Sequence, residues 1–196
     1  MEKKQSVLEP IETRNLIFRD FSIDDKSDIY YLYSDPEVMR LDQSEPIKDL
    51  VEAKTLIKNF QQSNQSHNSI SWGVELKETK KVIGTCGFKN WNRLSHHAEI
   101  GGNILSKEWG KGYGKETLMF LIEYGFTKMY LNKIYAYTNV KNRIVLTLMN
   151  KYGFQQEGVL REHQLLGREF YDVLVFSLLK KESKFDSENN FSNFIG

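Results

Sequence analysis

The sequence predicts an α/β (α+β) fold, a mixed and mostly antiparallel central sheet flanked by helices, with elements in the order βααβββαβαββ. Three observations lead there. Residues 69–91, SISWGVELKETKKVIGTCGFKNW, read as two strands around a turn near Glu78 to Lys80, and residues 97–106, HAEIGGNILS, read as a third. Strands joined by short turns pair antiparallel, so these make a meander. Beyond them, Leu118, Leu121, Ile122, Phe126 and Met129 mark a helix face at i, i+3, i+4, i+8 and i+11. The last third ends in FQQEGVLREH and REFYDVLVFSLL, a hairpin over QLLG. Runs of strands with helices between them pack as a layered mixed-sheet domain.

The other elements fall into place in order. IETRNLIFRD, residues 11–20, reads as one strand with Leu16 and Phe18 on the same face, and Ser22 is the N-cap of a helix carrying Ile29, Leu32 and Tyr33. Pro36 and Pro46 mark turns. From Lys48 to Gln62, Leu50, Ala53, Leu56, Ile57 and Phe60 recur at helical spacing, ahead of a polar loop, QSNQSHNS. KIYAYTNV is a strand, and Asn142 opens a helix through Leu146, Met149 and Tyr152 that stops at Gly153, a glycine placed as a C′ cap. One domain over 1–183 is expected, followed by a polar tail over 184–196.

Composition excludes several function classes. Lys plus Arg is 27 against 26 for Asp plus Glu, with the basic residues dispersed, so the footprint of a nucleic-acid binder is missing. A single cysteine, Cys86, and four scattered histidines leave neither a disulfide framework nor a structural zinc site, and no metal is expected. Cys86 reads as a small buried strand residue. The N-terminal MEKKQSVLEP is followed by no apolar stretch of the kind a leader needs, and no run is long enough to span a bilayer. A reducing cytoplasm fits these features.

The chemistry concentrates in EWGKGYGKE, residues 108–116, where Gly110, Gly112 and Gly114 alternate with other residues just before a helix. Such glycines either turn the chain through angles closed to other residues or let the backbone approach a ligand. A helix N-terminus, with unpaired amides and the positive end of the macrodipole, receives an anion such as a pyrophosphate. The competing reading is a tight turn that merely requires glycine. Two phosphate motifs fail here: a P-loop would need glycine at Trp109 and a hydroxyl at Glu116, and in G-x-G-x-x-G the third glycine would come one residue later.

WGKGYG does resemble motif A of the GNAT superfamily of acetyl-CoA-dependent N-acetyltransferases, Q/R-x-x-G-x-G/A, with Trp109 in place of Gln or Arg. That departure is a habit of the branch that looks like the RimJ/RimL-type ribosomal-protein N-acetyltransferases. ETRNLIFRDF, SDPEVMR, AEIGGNILSKEWGKGYGKE, TNVKNRIVLTLMNKYGFQQEGVLRE and YDVLVFSLL are similar to that branch in the same order, from about Glu12 to Lys181. The resemblance implies a GNAT-type sheet and an acetyl-CoA site. Backbone amides from Gly110 through Lys111, Gly112, Tyr113 and Gly114 to Lys115 would wrap the pyrophosphate, beside Trp109. Lys111 and Lys115 would add charge at its rim, or stand as solvated surface. The pantetheine arm would pair with the strand from Ile100 to Leu105 like an added strand. A bulge at Gly101 and Gly102 would turn an amide, from Gly102, Asn103 or Ile104, toward the thioester carbonyl; a plain packing bulge is the other reading. Asn142 matches the family asparagine that contacts the cofactor arm, and is otherwise an N-cap.

For catalysis the resemblance points to Glu99 as the carboxylate that takes the amine's proton, against a structural ion pair with a basic neighbour. Proton donors are another matter: Met149 and Val145 occupy the positions where a family Tyr or a branch Ser would protonate the leaving thiolate. Tyr152 or water is left for that step. The acceptor expected from the branch is the α-amine of a protein N-terminus, such as that of a ribosomal protein. A polyamine, amino sugar or antibiotic amine is the alternative, and a non-catalytic CoA-binding module a second one. The resemblance implies that the segment carrying Asp35, Glu37, Asp42 and Glu45 would border the acceptor cleft and suit a cationic amine; charges that are simply solvated are the other reading. A monomer or homodimer is expected, with acetyl-CoA and the amine as partners and neither nucleic acid nor membrane.

Overall fold

The structure is a computed structural model and describes residues 8–42, 44–65 and 68–183. The tail expected over 184–196 lies outside the described residues. An eight-stranded sheet has the order β1-β2-β3-β4-β5-β6-β8-β7. Its strands are β1 (Ile11–Glu12), β2 (Leu16–Arg19), β3 (Ile70–Leu76), β4 (Lys81–Asn92), β5 (His97–Ile104), β6 (Lys133–Asn139), β7 (Gln155–Leu166) and β8 (Glu169–Leu179). Every neighbouring pair is antiparallel except β5 and β6. The meander and the closing hairpin are therefore where the sequence places them.

Among the described residues five α-helices cover the two faces: α1 (Lys26–Tyr33), α2 (Pro36–Asp42), α3 (Leu50–Gln65), α4 (Tyr113–Thr127) and α5 (Arg143–Lys151). Strand alternation decides which side each residue serves. Trp72, Val74, Phe88, Ala98, Ile100, Ile134 and Phe176 join Leu118, Phe120, Leu121 and Ile122 of α4 and Met149 of α5 in the larger core. The Phe18 and Phe120 rings stack there at 3.8 Å between centroids. On the opposite face, Phe21, Ile29, Ala53, Ile57 and Val82 form a second cluster, with α1 and α3 as its cover.

Four expectations need correction. The first strand is two, because the chain folds back at Thr13 and Asn15; both residues donate to the Glu116 carboxylate, which pins the turn to α4. Residues 36–42 form helix α2 where turns were expected. Pro36 sits in its first turn, where a missing N–H costs nothing, and Asp35 Oδ1 caps it by accepting from Glu37 N at 3.0 Å. Helix α3 runs to Gln65, three residues past the expected end at Gln62, since Asn64 bridges Asp20 and Ser71 and rewards the extra turn. The bulge expected at Gly101 and Gly102 is absent: the β4–β5 register runs unbroken from Glu99 to Ile104. Gly102 has another reason to be glycine, as a Cβ there would lie 2.4 Å from the Thr85 carbonyl oxygen. β4 is irregular at two other places, at Ile83, where pairing with β3 shifts, and between Lys89 and Asn92, where pairing with β5 shifts.

Candidate active site

The parallel pair β5–β6 joins only His97 to Lys133, Ala98 to Ile134 and Glu99 to Tyr135. Beyond this point β5 continues to Ile104 paired with β4, and β6 to Asn139 paired with β8, but not with each other. The two strands thus fork. Their facing edges, Ile100–Ile104 and Ala136–Asn139, carry backbone groups without a ladder partner on that side, which is the arrangement that accepts an added extended chain.

Glu99 stands at the apex of the fork. Only 4 % of it is exposed, and both carboxylate oxygens have partners: Lys89 Nζ lies 2.8 Å from Oε1, and Asn90 Nδ2 donates to Oε2 at 2.9 Å. The ion pair read as the alternative for Glu99 is therefore present in this structure, and it leaves the carboxylate anchored. Alternation turns Glu99 to the face opposite the larger core, and Tyr135 beside it to the same face. Burial raises the pKa of the Tyr135 phenol, the charge of Glu99 and the neighbouring Tyr137 raise it further, and a hydrogen bond with Asn90 acts the other way. The His97 and Tyr137 rings pack on Tyr135 at 5.7 Å each. Lys89, Asn90 and Tyr135 were not singled out from the sequence. Counting back across the tight turn from Glu99 would have found Lys89; the parallel partner Tyr135 carries no such local signal.

At the open end of the fork, Leu105 N donates to Ile83 O and the chain makes a short 3-10 turn, Ser106–Glu108, before Trp109. The Trp109 indole donates to Ile104 O at 2.7 Å and packs with Leu32, Val38, Met39 and Leu105. Asp35 Oδ2 accepts from Ser106 Oγ at 2.5 Å and from its amide at 3.2 Å. Helix α2 is in this way tied to the start of the glycine loop. Next door, the Tyr33 hydroxyl bonds Thr85 Oγ1 at 2.9 Å; burial pushes its pKa up to about 12, partly offset by its hydrogen bonds to Thr85 and Asn103.

The glycine loop has the backbone that its composition suggests. Gly110 and Gly112 are left-handed, with φ of 78° and 92°, and a Cβ on either would meet nothing within 4 Å. Gly112 is the N-cap of α4 and has no side chain to satisfy the helix amides that follow; the first α-helical bond is from Glu116 N to Gly112 O. The amides of Tyr113, Gly114 and Lys115, at the first turn of α4, have no intrahelical acceptor, as an anion site requires. Lys115 is exposed, whereas Lys111 Nζ pairs with Glu108 Oε2 at 2.8 Å. Asn142 Oδ1 accepts from Val145 N at 3.2 Å and so acts as the N-cap of α5. Met149 is buried, and Val145 and Tyr152 pack on the same core, on the far face from Glu99. Among the described residues no group of three His, Cys, Asp or Glu side chains is placed to hold a metal ion, and no helix is long and apolar enough to cross a membrane.

Known proteins resemble this chain in sequence and in fold. Residues 15–155 match the acetyltransferase (GNAT) domain family. The uncharacterized N-acetyltransferase p20 of Bacillus licheniformis is 34 % identical over 175 residues, covering 89 % of this chain and 98 % of that protein. The [ribosomal protein uS5]-alanine N-acetyltransferase of Escherichia coli is 28 % identical over 108 residues, 55 % of this chain and 56 % of that one. A crystal structure of spermidine N-acetyltransferase from Vibrio cholerae, in complex with CoA and spermine, superposes with a TM-score of 0.75 at 24 % identity, over 86 % of this chain and 97 % of that one. With the family matched over most of its length and a relative of this identity from end to end, the chain belongs to the GNAT family of N-acetyltransferases.

Proposed function

We propose that the protein transfers the acetyl group of acetyl-CoA to the α-amine of a protein N-terminus, such as that of a ribosomal protein, in the cytoplasm and as a single domain over residues 1–183. The observation that carries this reading is the anchored carboxylate of Glu99 at the apex of the β5–β6 fork. In this reading the pyrophosphate rests on the amides from Gly110 to Lys115, with Trp109 behind them and Asn142 at the rim. The pantetheine arm runs along the open edge from Ile100 to Leu105, and an amide between Gly102 and Ile104 faces the thioester carbonyl as the oxyanion forms. Glu99 takes a proton from the incoming ammonium, the nitrogen attacks the carbonyl carbon, and the C–S bond breaks. The thiolate regains a proton through water, since Met149, Val145 and Tyr152 belong to the core on the other face.

The acids between α1 and α3 are held by their neighbours: Asp35 caps α2 and holds Ser106, Glu37 pairs with Arg40 at 2.7 Å, and Asp42 accepts from Ser44 Oγ at 2.8 Å. Hydrogen bonds from neutral groups leave the charges of Asp35 and Asp42 in place, so the preference for an α-amine rests on the chemistry of the amine. An α-amine has a pKa near 8, so it surrenders its proton with less help than an ε-amine. The test is a thiol-release assay with peptides copying protein N-termini, the same peptides with a blocked α-amine, spermidine and an aminoglycoside. Turnover that depends on the free α-amine supports the assignment, and faster turnover with spermidine or the aminoglycoside sinks it.

A further inference from the structure

Lys89 stands directly opposite Glu99 in the β4–β5 ladder, its Nζ 2.8 Å from the carboxylate. The pair is lopsided: the Glu99 side chain is 5 % exposed and that of Lys89 63 %. Asn90 secures the other carboxylate oxygen. It does so from a left-handed backbone, φ 53°, just where the β4–β5 register shifts between Lys89 and Asn92. The distortion brings two consecutive side chains of β4 onto one carboxylate, one from a fixed position and one at the end of a flexible four-carbon stem. A primary amine therefore already rests on Glu99, one ladder position from the open fork.

We propose that Lys89 is an acceptor for the protein's own acetyltransferase activity, modified in cis. The proposal rests on Glu99 being the proton acceptor of the reading above. Glu99 takes one proton from the Lys89 ammonium, and the freed Nζ lone pair attacks the thioester carbonyl carbon. The N–C bond forms and the C–S bond breaks; the thiolate recovers the proton held by Glu99, and the second proton of the new amide nitrogen goes to water. One acetyl-CoA gives one acetyl-lysine, one CoA thiol and one released proton. An amine tethered at the site reacts at an effective concentration that no free lysine in solution reaches. The product is uncharged, so the ion pair with Glu99 ends and that carboxylate is left to an external amine.

The experiment uses the full chain with isotopically labelled acetyl-CoA, cleavage after glutamate, and mass spectrometry of the peptide spanning residues 79–99. Lys80 and Lys81 lie in the same peptide, exposed, and report background acetylation. Lys89 should fill about 10-fold faster or more than either, at a rate unchanged by diluting the protein, and Glu99→Gln should slow it by about 10²-fold. Acetylation of Lys89 no faster than that of Lys80 and Lys81, in a preparation that turns over an external amine, overturns the proposal while sparing the reading of Glu99. A rate that falls on dilution also overturns it, by making the modification intermolecular. A preparation that binds acetyl-CoA and acetylates neither Lys89 nor any amine refutes both.

Discussion

The indole N–H of Trp109 donates to the carbonyl of Ile104 at 2.7 Å, joining the residue before the first loop glycine to the last residue of β5. Trp109 occupies the position where related motifs carry Gln or Arg, and here its ring also fills the space between α1, α2 and the loop. Trp109→Phe keeps much of the packing and removes the donor. Leaving the Ile104 carbonyl without its partner should cost about 1–2 kcal/mol of stability in urea unfolding. Acetyl-CoA affinity should fall several-fold in calorimetry, because the strand edge and the loop are no longer held together. Unchanged affinity would mean that the indole serves the fold alone.

Two loop glycines give a matched test of anion binding. Valine at Gly112 is strained by the left-handed φ of 92° whether or not a ligand binds. Gly114 is helical, and a Cβ there meets only Leu148 Cδ1 at 3.9 Å. Gly114→Val should therefore fold with a thermal midpoint close to that of the wild type but lose the rise that acetyl-CoA produces by mass action. Retention of the full rise would move the pyrophosphate away from α4.

Glu99→Gln removes the proposed proton acceptor and keeps the shape. Turnover should drop by roughly 10²–10⁴-fold with little change in acetyl-CoA affinity, and part of it should return at high pH as free amine accumulates. Wild-type turnover at neutral pH would make the carboxylate purely structural.

Acid should loosen α2 from the glycine loop. Burial raises the Asp35 pKa, but the hydrogen bonds from Ser106 and from the amides of Glu37 and Val38 outweigh it and bring the group below its ordinary value of 3.8. A depressed folded pKa means that the contribution to stability is complete above that ordinary value and fades as pH falls through the folded one. Asp35→Asn should lower stability at neutral pH and lose little more between pH 4 and pH 2 at this site, so the gap between the two proteins should narrow with acid. Parallel pH curves in chemical denaturation would rule out this anchor.

The sequence by itself determined the family, the meander and the glycine loop ahead of α4, because each is written in local pattern: alternation, helical spacing, or residue types crowded into a few positions. Helix α2 was not read from the sequence, because Pro36, which opens it, reads equally well as a turn. The fork could not be read, since it depends on how far two strands distant in the chain stay parallel before diverging, and hydrophobic alternation is the same on both sides of the divergence. The same holds for two of the neighbours of Glu99. Lys89 can be reached by counting back across the β4–β5 turn, but whether the carboxylate also meets Asn90 or lies beside Tyr135 is set by a left-handed residue in β4 and by the β5–β6 register, which no spacing along the chain records. Tertiary structure also decided that Gly102 serves close strand contact and makes no bulge, because the clash it avoids is with the backbone of Thr85, seventeen residues away.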